Sequence, residues 1–159
     1  MKKTILTIGL IFYFGSASSQ INNLSDFLEV SNLSLYELTE NLQYTWTIIK
    51  PTEKASADKS KIVGTYSFTN ESNTKQILQR IITMEVQSGR KIEVTNLIFN
   101  DSELSKSIIK NLTYKGFSLK GKQGNETMYE DGNSILVIYN NYSEKTLGKG
   151  YYKLTILRN

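Results

Sequence analysis

The 159-residue chain contains no cysteine and no histidine, and it has one proline and one tryptophan. Without thiols no disulfide can form, so stability must come from packing. Without thiol or imidazole there is no Ser-His-Asp triad, no cysteine nucleophile and no zinc site of the usual nitrogen and sulfur kind. The side chain that titrates most readily near neutral pH is also missing. After the first twenty residues no run approaches the roughly 20 apolar residues a spanning helix needs. No alternating pattern suits an outer-membrane barrel. No glycine-rich turn follows a strand and opens a helix, so nucleotide binding has no support. Basic residues are too sparse for a nucleic-acid interface. The sequence implies no cofactor and no metal. Asp131-Gly132-Asn133 resembles a fragment of a calcium loop but lacks its spacing and its distal glutamate.

What is present begins with an address. Met1-Lys2-Lys3 is basic, Thr4 to Phe14 reads TILTIGLIFYF, and small residues follow in GSASSQ. Ala17 and Ser19 suit the −3 and −1 positions of a signal peptide, so cleavage is expected between Ser19 and Gln20. The alternative is an uncleaved anchor. Cleavage leaves residues 20–159 as one domain, exported to the periplasm or outside the cell. The full chain carries 19 basic and 15 acidic residues, a net charge of +4. From Lys110 onward there are eight cations against four anions. A positive end favours an anionic partner, though solvated surface lysines would look the same.

The strongest internal signal is a repeat. Residues 41–49 read NLQYTWTII and residues 111–119 read NLTYKGFSL. Upstream of the second copy, Leu104, Ile108 and Leu112 recur at helical spacing, Asp101 or Ser102 supplies a cap, and Gly116 supplies a stop. Strands are expected near Phe117–Lys120, Glu126–Glu130, Ser134–Asn140 and Gly150–Arg158, with Asp131-Gly132 as a hairpin signal. The first copy has a short helix over Leu24–Val30. A second helix follows, with Leu35, Leu38 and Leu42 on one face and Asn32 or Ser34 as its cap. Its strands are expected at Tyr44–Ile49, Ile62–Thr69, Gln76–Val86 and Lys91–Phe99, with a polar loop over Lys50–Lys61. The expected fold is α+β. Two tandem helix-plus-four-strand antiparallel units, about 24–99 and 101–159, read as an internal duplication. Their helices should lie on one side of the sheet or sheets. A chance match of a common helix exit is the competing account.

Motifs for catalysis are weak. Ser107-Ile-Ile-Lys110 matches S-x-x-K, but the accompanying S-D-N and K-T-G elements are absent. Glu85 and Glu93 fall on the two strands of one hairpin, and a glycosidase needs two carboxylates. The layout of tandem helix-plus-four-strand units resembles that of some secreted enzyme-inhibitor proteins. That resemblance implies binding through a concave sheet and carries no residue across.

The expected function is therefore an exported, non-enzymatic binding protein. An aromatic- and lysine-bearing sheet face would meet an envelope or extracellular protein, or an anionic glycan surface. Its candidate residues are Tyr151 and Lys153, with Lys115, Lys120 and Lys122 at the adjacent edge, and Tyr129. Tyr139 and Trp46 are candidates for the same face. Two alternatives are a small carboxylate hydrolase acting on envelope glycan and a self-associating structural protein of the envelope.

Overall fold

The computed structural model describes residues 20–71, 74–144 and 147–158. The expected leader, residues 1–19, lies outside the described residues. The elements are α1 (Leu24–Asn32), α2 (Leu35–Leu42), β1 (Thr47–Ala55), β2 (Lys61–Asn70), β3 (Gln76–Glu85), β4 (Lys91–Phe99), α3 (Ser102–Asn111), a 3-10 turn (Thr113–Lys115), β5 (Ser118–Gln123), β6 (Glu126–Glu130), β7 (Ser134–Glu144) and β8 (Gly148–Arg158). After the additional α1, the order is helix then four strands, twice over.

Each helix starts on a side-chain cap. Asn23 Oδ1 accepts from the Asp26 N–H at 3.0 Å. Ser34 forms a capping box with Glu37, satisfying two backbone donors at once. Asp101 accepts from the N–H groups of Glu103 and Leu104 at 2.8 and 3.0 Å. The last turn after α3 tightens into 3-10 geometry and is closed by Gly116 at φ 85°. Only glycine adopts that left-handed value without steric cost.

The eight strands form one antiparallel sheet in the order β1-β2-β3-β4-β8-β7-β6-β5. The fourth strand of each group therefore meets at the centre, and the first strand of each group lies at an edge. Side chains alternate between faces, and directly paired residues share a face. Phe68, Leu78, Leu97 and Leu154 are linked by direct pairing, and so mark one face. These four join Phe27 of α1, Leu38 and Leu42 of α2, and Leu104, Ile108 and Leu112 of α3 in a single hydrophobic cluster. This is the core face. The face turned away from that cluster is called the far face below.

Three expectations need correction. Lys50–Lys61 is not a loop: β1 runs through Pro51 to Ala55. Proline is tolerated because β1 is an edge strand, and the register shifts between Ile49 and Thr52. The expected connection after Asn140 is largely strand, since β7 reaches Glu144 and β8 starts at Gly148, with residues 145–146 outside the described ones. Trp46 is not on an exposed face. It is 4% exposed and belongs to the core cluster. It precedes β1 rather than sitting in it, so strand alternation does not govern its direction.

The turn between β1 and β2 is organised by Asp58. Its carboxylate accepts from Ser56 Oγ at 2.6 Å, from the Ser60 N–H at 3.1 Å and from Ser60 Oγ at 2.8 Å. These bonds, the one from Ser56 foremost, pull its pKa down to about 2. A depressed carboxylate stabilises the fold above its unfolded value, and that contribution disappears as pH falls through about 2. An NMR titration should therefore find the Asp58 carboxyl midpoint well below that of an ordinary aspartate. In a Ser56→Ala variant the midpoint should move back up.

Polar side chains on the core face fasten the N-terminal segment to the sheet. Gln76 Oε1 accepts from the Ile21 N–H at 2.9 Å, and Gln76 Nε2 donates to the Ile21 carbonyl at 2.8 Å. Arg80, 2% exposed, reaches the C-terminal end of α1. Its Nη1 donates to the Leu33 carbonyl at 3.0 Å and to Glu93 Oε2 at 2.9 Å, and its Nη2 donates to the Val30 carbonyl at 3.1 Å. Arg158 Nη2 adds bonds to Ser31 Oγ at 2.8 Å and the Leu28 carbonyl at 3.2 Å. No basic residue lies in the last turn of α1, so the sheet supplies the cations its negative end calls for.

Candidate binding face

The far face is built from the second set of alternating residues. At its centre Ile98 of β4 is fully buried and Asn96 is 2% exposed, although neither belongs to the core cluster. Thr155 Oγ1 donates to Asn96 Oδ1 at 2.7 Å across the β4–β8 seam. Toward the wings, Ile49 of β1 is 45% exposed and Met128 of β6 is 41% exposed. Among the described residues no core-cluster side chain lies on this face, and its central strip, where burial is greatest, is called the trough below.

Two kinds of surface lie in this trough. The first is aliphatic. Ile81 pairs with Val94, Val94 with Leu157, and Leu157 with Ile135, so four half-buried side chains cross the sheet in one row. The second is aromatic and cationic. Lys153 of β8 places Nζ 5.2 Å from the Tyr139 ring centre and 5.0 Å from that of Tyr142. The two rings meet edge to face with centres 6.4 Å apart. A cation held over two rings orders all three side chains, which lowers the entropy lost when a partner binds. Burial raises the Tyr139 pKa, and the nearby Glu126 charge adds to the effect.

Shallow cavities flank the trough. One, of about 390 Å³, lies over β1 and β2 and is lined by Lys54, Lys61, Val63 and Thr65 among others. The other, of about 270 Å³, lies over β5 to β7 and is lined by Gly121, Lys122, Glu126, Met128, Val137 and Tyr139 among others.

The candidates named from the sequence separate in space. Lys153 stands at the centre of the aromatic group, and Tyr151 is paired with Tyr142 on the same face. Lys120 reaches Glu130 at 3.2 Å on the edge of the sheet. Lys122 borders the smaller cavity, but its pairing with Thr127, and that of Thr127 with Ile138, sets its side chain on the core face. Lys115 ends the 3-10 turn and is exposed, outside that cavity's lining. Tyr129 pairs with Leu136 on the core face and packs against the core cluster, so the structure does not bring it to Lys153.

Tyr142 was not among the candidates. Strict alternation puts it on the opposite face from Tyr139, but a register shift between the two returns it to the same face. Asn141, at φ 56°, absorbs the irregularity. The Asn140-Asn141 pair was the available signal.

The proposed carboxylate pair is not assembled. Glu85 pairs with Lys61 on the far face, whereas Glu93 pairs with Ile82 on the core face and binds Arg80 and Lys91. Two carboxylates on opposite faces of one sheet cannot flank one glycosidic bond. Among the described residues no group of three or more acidic side chains is placed to hold a metal ion. Among the described residues no helix is long and apolar enough to cross a membrane. Both edge strands carry a register irregularity, between Ile49 and Thr52 in β1 and between Leu119 and Gly121 in β5. Such breaks, with Pro51 and the edge lysines, discourage strand-to-strand association of copies. No protein-family model matches the chain, and no curated protein or solved structure matches it.

Proposed function

We propose that this is an exported, non-enzymatic binding protein that holds its partner in the trough of the far face. The observation that carries this reading is the Lys153–Tyr139–Tyr142 group beside a row of aliphatic side chains, both on a face the core does not use. Tyrosine is enriched at binding hot spots, and side chains already held against one another lose less entropy when a partner docks. Export rests on the leader-like first nineteen residues.

The same reading takes the chain as a duplicated unit with all three helices on the core side. Equivalent positions of the two copies have matching environments. Leu38 and Ile108 are 0% and 1% exposed, and Leu42 and Leu112 are 4% and 1% exposed. Tyr44 and Tyr114 are 86% and 84% exposed. The palindromic strand order places equivalent strands at equivalent distances from the β4–β8 seam.

A double variant, Tyr151→Ala with Lys153→Glu, tests the assignment. In a pull-down from envelope extract it should fail to recover a partner that the wild type retains, while its circular dichroism stays unchanged. Equal recovery by both proteins would remove these residues from the account.

A further inference from the structure

The cavity over β5 to β7 is walled by groups of mixed kind. Tyr139 of β7 pairs with Lys153 of β8 on one side and with Glu126 of β6 on the other, and Glu126 pairs in turn with Gln123 of β5. These four side chains therefore share one row of the far face. Lys153 holds its ammonium 5.2 Å from the Tyr139 ring centre, on the β8 side. The cavity lies on the β6 side of that ring, where Val137, Met128, Glu126 and Gln123 line it. The Glu126 carboxylate and the Gln123 carboxamide are exposed, and neither makes a hydrogen bond or an ion pair with a described residue.

Charge narrows the choice of occupant. Tyr139 stands between a cation, Lys153, and an anion, Glu126. An anionic ligand would meet the Glu126 carboxylate, and a cationic one would compete with an ammonium already on the same ring. A neutral ligand meets neither obstacle. The carboxylate only accepts hydrogen bonds, whereas the carboxamide both donates and accepts. Hydroxyl groups answer both, since each donates one hydrogen bond and accepts others. The ring face, Val137 and Met128 suit C–H groups. Among peptide side chains, an aliphatic one would leave both polar groups unanswered, and a charged one would meet a like charge. The volume, about 270 Å³, is near the lower limit of roughly 300 Å³ for small-ligand sites. The polar lining also continues. Met128 and Val137 lead by direct pairing to Thr155, Asn96 and Gln79, so hydroxyl and carboxamide groups run on toward β3 at ~4.8 Å per strand. Thr155 and Gln79 are half-buried.

We infer that the far face grips a neutral sugar chain, with one pyranose ring in the cavity against Tyr139 and the next units along the row from Thr155 to Gln79. This rests on the far face being the binding surface. A pyranose carries hydroxyls on its rim and C–H groups on its faces. Its C–H face lies on Tyr139 and Met128. Its hydroxyls donate to Glu126 and exchange hydrogen bonds with Gln123. Tyr139 is held in place from behind by Lys153 and Tyr142, so little order is lost when the sugar docks.

The test offers the full exported chain an array of immobilised oligosaccharides that are neutral, uronic-acid-bearing or sulfated. Neutral hexose or N-acetylhexosamine chains should bind, with little change between about 0.05 and 0.5 M salt. Their affinity should fall about fivefold in Glu126→Gln. It should fall at least tenfold in Tyr139→Ala, with the dichroism spectrum unchanged. Neutral-sugar binding that both variants leave intact would overturn the cavity as its site. Stronger binding of sulfated or uronic chains than of neutral ones would overturn the neutral ligand. No bound sugar at all would overturn the sugar assignment. A partner still lost from the pull-down with the Tyr151→Ala and Lys153→Glu double variant would then leave the far face standing, and equal recovery would remove both.

Discussion

Replacing Arg80 with leucine should lower the unfolding free energy by about 3–5 kcal/mol, a large share of what a domain this size has. Arg80 is 2% exposed and its guanidinium bonds carbonyls at the end of α1 together with Glu93. Removing it strands those carbonyls and leaves Glu93 with Lys91 alone. Burial by itself would raise the Glu93 pKa, but hydrogen bonds from Lys91 and Arg80, and their charges, outweigh it and hold the carboxyl below its ordinary range. The Glu93 contribution is thus complete above the unfolded carboxylate range and is lost as pH falls through the lowered folded value. Arg158 cannot take over, because its Nη2 already donates to Ser31 Oγ and the Leu28 carbonyl. Lysine at position 80 should rescue little, because one ammonium cannot reproduce the planar fork. Urea denaturation measures the loss. A change under about 1 kcal/mol in Arg80→Leu would show that α1 is not held by this side chain.

The second large effect concerns the core. Leu38→Ala and Ile108→Ala should each cost about 2–5 kcal/mol. Both side chains are essentially unexposed, and both belong to the one cluster that also contains Phe27 and Leu154. Because that cluster is shared, each substitution should shift a single cooperative transition rather than melt half the chain. Thermal unfolding followed by far-ultraviolet dichroism and by tryptophan fluorescence reads this directly, since Trp46 reports from the α2–β1 side. Two separated transitions in either variant would mean that the helix-plus-meander units fold as independent bodies.

Local chemistry made much of the fold legible. The caps Ser34 and Asp101, the stop at Gly116, and the β3–β4 hairpin all stand where short-range signals place them. Alternation along β8 also held, with Leu154 and Ile156 buried and Lys153 turned to the other face. What escaped depended on partners distant in the chain. A proline and many polar residues in 50–61 read as a loop, yet an edge strand needs hydrogen bonds on one side only and tolerates them. The placement of Tyr142 hinged on a one-residue bulge, which inverts the faces of everything beyond it. Arg80 attracted no notice because a lone arginine in a strand looks like surface. Only the packing of α1 over β3 gives it a buried task. Tyr129 went astray for the opposite reason: it sits on the core face of β6, where an aromatic fills space beside Leu136.

The far face as the working surface is tested most directly by photocrosslinking in the producing cell. A benzophenone amino acid is placed at Leu157, in the aliphatic row, and separately at Tyr44, 86% exposed in the turn after α2. The account predicts a discrete higher-mass adduct from position 157 and none from position 44. Adducts from position 44 with none from position 157 would contradict it.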